Sequence, residues 1–264
     1  MIHILRLHID PRRYISHSLT IAVGVVVTAA LGTIALATPR GFDWTDESWA
    51  YSLILNNKQT PREPWGFQHL LHPIFIALGE SVLLFRVLRL VGYVSIGVMS
   101  GISFLRLAES MSWRLGRSQR AMVLLAAQFG TIHAYSYPPR IVSYNEISSW
   151  MIQIFLALTT LMFSMQMSTG RENHRDFRYR MAPVAMGLIL PLQFAARFTT
   201  FILLVPLTVV ALYVVSSSTH SLRQNINWVA AGAVSGTGLM TFVKFPFGPY
   251  FHNLREVFFN KDVQ

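Results

Sequence analysis

Cysteine is absent from this chain. That excludes disulfide frameworks and thiolate chemistry, and it leaves the redox compartment unread. Charge is scarce as well. Charged residues make up 13% of the sequence, against about 25% in soluble domains. With 52% of residues hydrophobic, the composition excludes an ordinary soluble globular domain and indicates an integral membrane protein. Acidic residues are the scarcer sign, 12 against 22 Lys and Arg, for a net charge of +10. The basic residues cluster in short segments between apolar runs, as in the cytoplasmic loops of multi-pass proteins. No nucleic-acid partner is therefore expected. Gly-rich phosphate loops, zinc motifs, helix-turn-helix patterns and internal repeats are also missing.

What is present is a series of apolar runs. The 264 residues have room for about seven spans at ~20 residues each. The expected fold is all-α, a polytopic transmembrane helical protein forming one membrane domain over 1–264. The first span is expected over 18–38. Its apolar run exceeds the ~7–15 residues of a signal-peptide core, so an uncleaved span is expected. Arg6, Arg12 and Arg13 precede it, which puts the N-terminus in the cytoplasm. Segment 39–85 then becomes an external loop, 86–244 holds the remaining spans, and 245–264 is an external tail. A plasma or inner membrane is the expected location.

The external loop concentrates polar chemistry. Thr45 can cap a short helix with Asp46 and Glu47 in its first turn, where carboxylates meet free N–H groups and the positive dipole end. Trp49, Leu53 and Ile54 fall near one face, and Asn56-Asn57-Lys58 ends the element. This reads as an interfacial helix. Leu70–Phe85, interrupted by Pro73, Gly79 and Glu80, reads as a second one.

Later spans are expected at about Val87–Leu105, Ala121–Tyr137 and Ile147–Ser168. Between them lie two arginine-rich segments, one with Arg106, Arg114, Arg117 and Arg120, the other RENHRDFRYR at 171–180. Both indicate the cytoplasmic side, in agreement with the N-terminus. Residues 181–222 hold one charge, Arg197. They read as two short helices meeting near Arg197 on the outer side, with Pro191 and Pro206 as kinks. If they form one long tilted span instead, the total falls to six. With two helices, Trp228–Val243 is a seventh span.

Four groups could carry chemistry. Asp46 and Glu47 could act as a general base or hold a divalent cation, because partial burial raises a carboxylate's pKa toward neutrality; the plainer reading is helix capping. His69 and His72, three apart, share a helix face without a nearby carboxylate, which is weak evidence for a metal. Arg140, Tyr144, Asn145 and Glu146 form a second external polar cluster at a helix start, suited to an anion, or a simple cap. Arg197 lies in an apolar region, where an arginine needs a partner or water; a lipid-linked phosphate fits its geometry.

The order of these features resembles the GT-C membrane glycosyltransferases, in the protein O-mannosyltransferase and aminoarabinose-transferase branch. Asp46-Glu47 is similar to that family's acidic pair in the first external loop. His72-Pro73 is similar to its HPPL segment, with Ile74 in place of the second proline. Arg86-Val-Leu-Arg89-Leu90 is similar to its entry to the second span, and SYNEIS occupies a position where relatives carry another polar residue. The resemblance covers about 18–215.

It implies a transferase that moves a sugar from a polyprenyl-phosphate-type lipid donor to an acceptor on the extracytoplasmic side. Asp46 would be the base and Glu47 its support or a metal contact. Arg140, Asn145, Arg197 and His72 would contact the donor. The implied partners are the bilayer and the lipid-phosphate sugar; no acceptor is identified, and a divalent metal is compatible but not required. The alternatives are a truncated, non-catalytic module of such an enzyme and a lipid or solute transporter.

Overall fold

A computed structural model describes residues 11–39, 46–57, 65–135, 142–169, 177–216 and 218–259. All regular structure among them is helical: α1 (Pro11–Ala37), α2 (Asp46–Asn56), α3 (Phe67–Ala77), α4 (Val82–Ser110), α5 (Arg117–Tyr135), α6 (Tyr144–Thr169), α7 (Phe177–Ala196), α8 (Phe198–Val214), α9 (Thr219–Phe242) and α10 (Phe247–Phe259).

The helix starts follow from side-chain caps. Ser81 accepts from Leu84 N at 3.3 Å before α4, and Ser218 accepts from Ser221 N at 3.2 Å before α9. Each satisfies one N–H that the first helical turn leaves over. Ser143 and Glu146 form a capping box at α6: Ser143 Oγ accepts from Asn145 N, and Glu146 Oε2 accepts from Ser143 N at 3.0 Å. Span limits read from hydropathy start too late for this reason. The second span begins at Val82 rather than Val87 and the fourth at Tyr144 rather than Ile147. The last long helix, expected at Trp228–Val243, begins at Thr219.

The expected second surface helix, Leu70–Phe85, is also corrected. Gly79 and Glu80 have φ of +67° and +57°. This left-handed reversal ends α3 and lets Ser81 start a new helix, so Val82–Phe85 belong to α4.

Seven helices run alternately up and down. Thr20 of α1 bonds Ser118 of α5 at 2.8 Å, while Arg86 of α4 donates to the Thr38 carbonyl just beyond α1 at 3.0 Å. Gly92 of α4 faces Trp150 of α6, so these two run parallel. Between them α5 runs the other way, with Gly101 against Leu124 and Gly97 against Gln128. Gln193 of α7 donates to Ser148 of α6 at 2.9 Å, near the end of one helix and the start of the other. Helices α7 and α9 approach each other closely. A Cβ on Gly187 would overlap the Val229 carbonyl, and one on Gly232 would overlap the Val184 carbonyl. Only glycine allows this approach.

Residues 181–222 divide as the two-helix reading expects, with the break at Arg197 (φ −157°, ψ 104°). Pro183, Pro191 and Pro206 all lie inside helices. The tail is not irregular: α10 follows α9 at a bend of 105°, turned through Lys244 at φ +57°.

Among the described residues three helices are long and apolar enough to cross a membrane, His17–Ala37, Val82–Ser110 and Tyr144–Met167, or four if the bent α9–α10 pair is one span, fewer than the seven expected. Helices α7 and α8 contribute shorter apolar stretches. The bundle's outer surface is apolar. Leu203, Val209, Val234 and Phe242 are exposed, the last by 83%, as in a protein solvated by lipid rather than water.

The pair α2–α3 closes one end of the bundle. Ala50, Tyr51 and Ile54 of α2 and Phe67, Leu71 and Phe75 of α3 are buried with Phe85, Val142, Ile147 and Ala196. The buried face of α2 therefore centres on Ala50, Tyr51 and Ile54. Trp49, expected on that face, is 40% exposed.

Candidate functional site

The closed end brings together the beginnings of α2, α3, α4, α6 and α8. At its centre is an aromatic stack. Trp65 lies parallel to Tyr144, with ring centroids 5.0 Å apart and planes at 4°. The Arg197 guanidinium lies over the Tyr144 ring at 5.6 Å, a distance suited to cation–π attraction. Arg197 Nη1 also donates to Asn145 Oδ1 at 3.0 Å. Trp49 packs edge-on to Trp65 at 5.9 Å, which links the first turns of α2 to the stack. Gly66 N donates to the Ala195 carbonyl at 2.7 Å, fixing the entry of α3 to the end of α7.

Arg197 is not sunk in an apolar helix. It is the residue between α7 and α8, and its side chain is exposed. The first N–H groups of α8 lack intrahelical partners and add a partial positive charge beside it. The local chemistry is that of an anion site: a guanidinium, a helix start and a neighbouring amide.

Behind the Arg197 end of α8 lies an apolar groove of about 350 Å³, lined among others by Pro191, Phe194, Phe201, Val205, Met240 and Phe247. Two of its lining residues, Phe194 and Phe201, lie within about one helical turn of Arg197 in sequence. The groove suits hydrocarbon.

Beneath the stack sits a buried ion pair. Arg89 Nη2 donates to Glu146 Oε1 at 2.9 Å, with both side chains almost fully buried. The other carboxylate oxygen, Glu146 Oε2, is the capping-box acceptor. One carboxylate thus neutralises a buried guanidinium and starts α6, the helix that presents Tyr144 and Asn145. Glu146 is structural here, as the capping reading of the second polar cluster expects.

The two histidines join α2 to α3. His72 Nδ1 donates to the Ile54 carbonyl at 2.8 Å. His69 Nδ1 lies 2.7 Å from Asn57 Oδ1, with its ring edge-on to Phe245 at 5.6 Å. Both hold the C-terminal end of α2, where Asn57 adopts φ +47°. Burial, then the neighbouring His72, pushes the His69 pKa down to about 4. A neutral ring can donate only from its protonated nitrogen, so Nδ1 carries the hydrogen toward the amide oxygen. Through Nδ1, His72 is a staple between α2 and α3.

Asp46 and Glu47 open α2 as expected. Their side chains, like the whole of Arg140 and Thr45, lie outside the described residues. Among the described residues no group of three His, Asp or Glu could hold a metal ion. Sequence reasoning missed Trp65, the partnership of Arg89 with Glu146, and α10. The capping-box spacing Ser143-x-x-Glu146 was a readable signal for part of this. Nothing local in the sequence pairs residues 89 and 146.

Comparison with protein-family models, with curated proteins and with solved structures finds no match to this chain.

Proposed function

We propose that this chain is a membrane-embedded transferase of the GT-C type, with α1 and α4 to α9 crossing the bilayer and the site at the Arg197 end, on the extracytoplasmic side. It takes a sugar from a polyprenyl-phosphate-type donor. The observation that carries this reading is the unbroken line Trp49–Trp65–Tyr144–Arg197. It connects the acidic opening of α2 to an exposed arginine at a helix start beside an apolar groove. A lipid phosphate needs those three environments together: a cation, free N–H groups and a hydrocarbon slot.

In this arrangement Arg197 and the first turn of α8 hold the donor phosphate, with Asn145 fixing the guanidinium. The apolar groove takes the part of the lipid nearest the phosphate. Asp46 accepts the proton of an acceptor hydroxyl as its oxygen attacks the anomeric carbon. The bond from that carbon to the phosphate oxygen breaks, and its electron pair leaves with the lipid phosphate. A single displacement inverts the sugar carbon. Glu47 supports Asp46 or contacts a divalent cation.

The test is a transfer assay in membranes with lipid-phosphate sugars. General-base catalysis is worth roughly 10²–10⁴-fold, so Asp46→Asn should lose turnover on that scale. Arg197→Gln should chiefly raise KM for the lipid donor. Equal turnover by Asp46→Asn sinks the base assignment. If lipid phosphate binds at Arg197 and no sugar moves with any donor, the chain is a binding module rather than an enzyme.

A further inference from the structure

The opposite end of the bundle carries a second charged surface, unrelated to the site above. Helix α4 runs from the buried Arg89 to Arg106 and ends in the corner 111–116 before α5. At 1.5 Å per residue, Arg106 lies roughly 26 Å along α4 from Arg89, close to the ~30 Å thickness of a bilayer's hydrocarbon core. Arg106, Arg114, Arg117 and Arg120 are all exposed at this corner. A single carboxylate, Glu109, accompanies them. It is already engaged by Arg120 at 3.1 Å and by Arg106 at 3.9 Å. Among the described residues, Arg114 and Arg117 have no ion-pair partner.

Apolar groups accompany the charge. Trp113 is 60% exposed and Met111 44%, in a turn where Ser112 takes φ +61°. About two turns back along α4, Ile102 and Phe104 are exposed as well. From the middle of α4 to the corner, exposed aliphatic and aromatic residues thus give way to a corner of arginines with Trp113 among them. That gradient matches the passage from acyl chain through the interface to the headgroup, where Trp and basic residues concentrate.

We propose that the α4–α5 corner is a binding surface for anionic phospholipid headgroups. Arg114 and Arg117 pair with the lipid phosphate, and Trp113 lies at the level of the ester groups. Guanidinium binds phosphate oxygens in a two-pronged geometry. The occupant is the anionic lipid of the facing leaflet rather than an acidic protein, because the arginines share this corner with the exposed Trp113 and Met111 and with the exposed apolar residues Ile102 and Phe104 of α4.

The test uses the full chain in a neutral detergent. Its thermal midpoint is followed while phosphatidylglycerol, phosphatidylcholine or inorganic phosphate is added. Phosphatidylglycerol should raise the midpoint, and the other two should not. Arg114→Gln/Arg117→Gln should keep the lipid-free midpoint and weaken phosphatidylglycerol binding roughly tenfold or more. If the double variant aggregates, each single variant should show a smaller loss. Arg197→Gln should leave the response intact. The proposal is overturned if phosphatidylcholine acts like phosphatidylglycerol, if inorganic phosphate alone reproduces the shift, or if the glutamine variants bind as the wild type does. It is equally overturned if Arg197→Gln abolishes the response, which would place the anion at the other end.

Discussion

The two ends of α4 use the same residue in opposite ways. At its start, Arg86 and Arg89 are buried, one against the Thr38 carbonyl and the other against Glu146. At its finish and in the corner beyond, Arg106, Arg114, Arg117 and Arg120 face outward, and two of them, Arg106 and Arg120, share one carboxylate. A buried guanidinium costs several kcal/mol unless a partner and hydrogen bonds offset it. An exposed one costs almost nothing and contributes almost nothing. The start of α4 therefore specifies neighbours, and the finish specifies an environment. Position in the helix, not residue type, decides whether an arginine is part of the fold.

The sharpest way to break this contrast is at Glu146. Replacing it with Ala leaves Arg89 buried without its counter-ion and removes half of the α6 capping box. The expected loss is about 3–5 kcal/mol, read from denaturant unfolding in micelles. Replacing both partners by apolar residues, Arg89→Met with Glu146→Leu, should recover much of that loss. If Glu146→Ala alone unfolds no more easily than wild type, the pair is not what holds the two helices together.

Acid should act on the same end and spare the other. His69 is buried, and its folded pKa of about 4 lies below the ordinary 6.5. The unfolded chain thus binds a proton that the folded chain refuses. His69 costs the fold nothing above pH 6.5, and stability falls as pH drops from there toward 4. The full difference is roughly 3 kcal/mol. His69→Asn should flatten that part of the profile. An unchanged acid limb in the variant would assign it elsewhere.

How much of this was legible depended on whether the cause was local. The break at Arg197 was readable because a lone charge interrupts a long apolar run. The limits of α2 were readable because an acidic pair opens it and Asn56-Asn57 closes it. The arginine-rich corner between α4 and α5 was readable from composition alone. The capping of α4 and α9 by Ser81 and Ser218 was not used, since hydropathy marks where lipid contact begins rather than where hydrogen bonding does. The Arg89–Glu146 pair spans 57 residues, and the Trp65–Tyr144 stack joins a loop to a helix start far along the chain. Such contacts depend on the bundle's alternating directions, which exist only after folding. The histidines show a related limit: their spacing puts both on α3, but their partners are backbone and amide groups that no side-chain motif announces.

The α7–α9 contact lies between the two ends and tests packing alone. Gly232→Ala places a methyl against the Val184 carbonyl, in a contact with no room for it. Overpacking of this kind costs typically about 1–3 kcal/mol. The same substitution at Gly130, where an added Cβ meets nothing within 4 Å, should not lower stability, because alanine favours a helix interior over glycine by roughly 1 kcal/mol.

The smallest effect is expected at the outward-facing arginines, and its smallness is the point. In a neutral detergent Arg117→Gln should change unfolding stability by less than about 0.5 kcal/mol, as for surface substitutions generally. Its side chain has no ion pair among the described residues to lose. Glu109→Gln removes the carboxylate that Arg106 and Arg120 share, yet both bridges are solvent-exposed and at best worth about 1 kcal/mol together. A loss of 3 kcal/mol or more from either change would mean that this corner is folded through its charges, as the start of α4 is. A negligible loss leaves those charges available to something outside the chain.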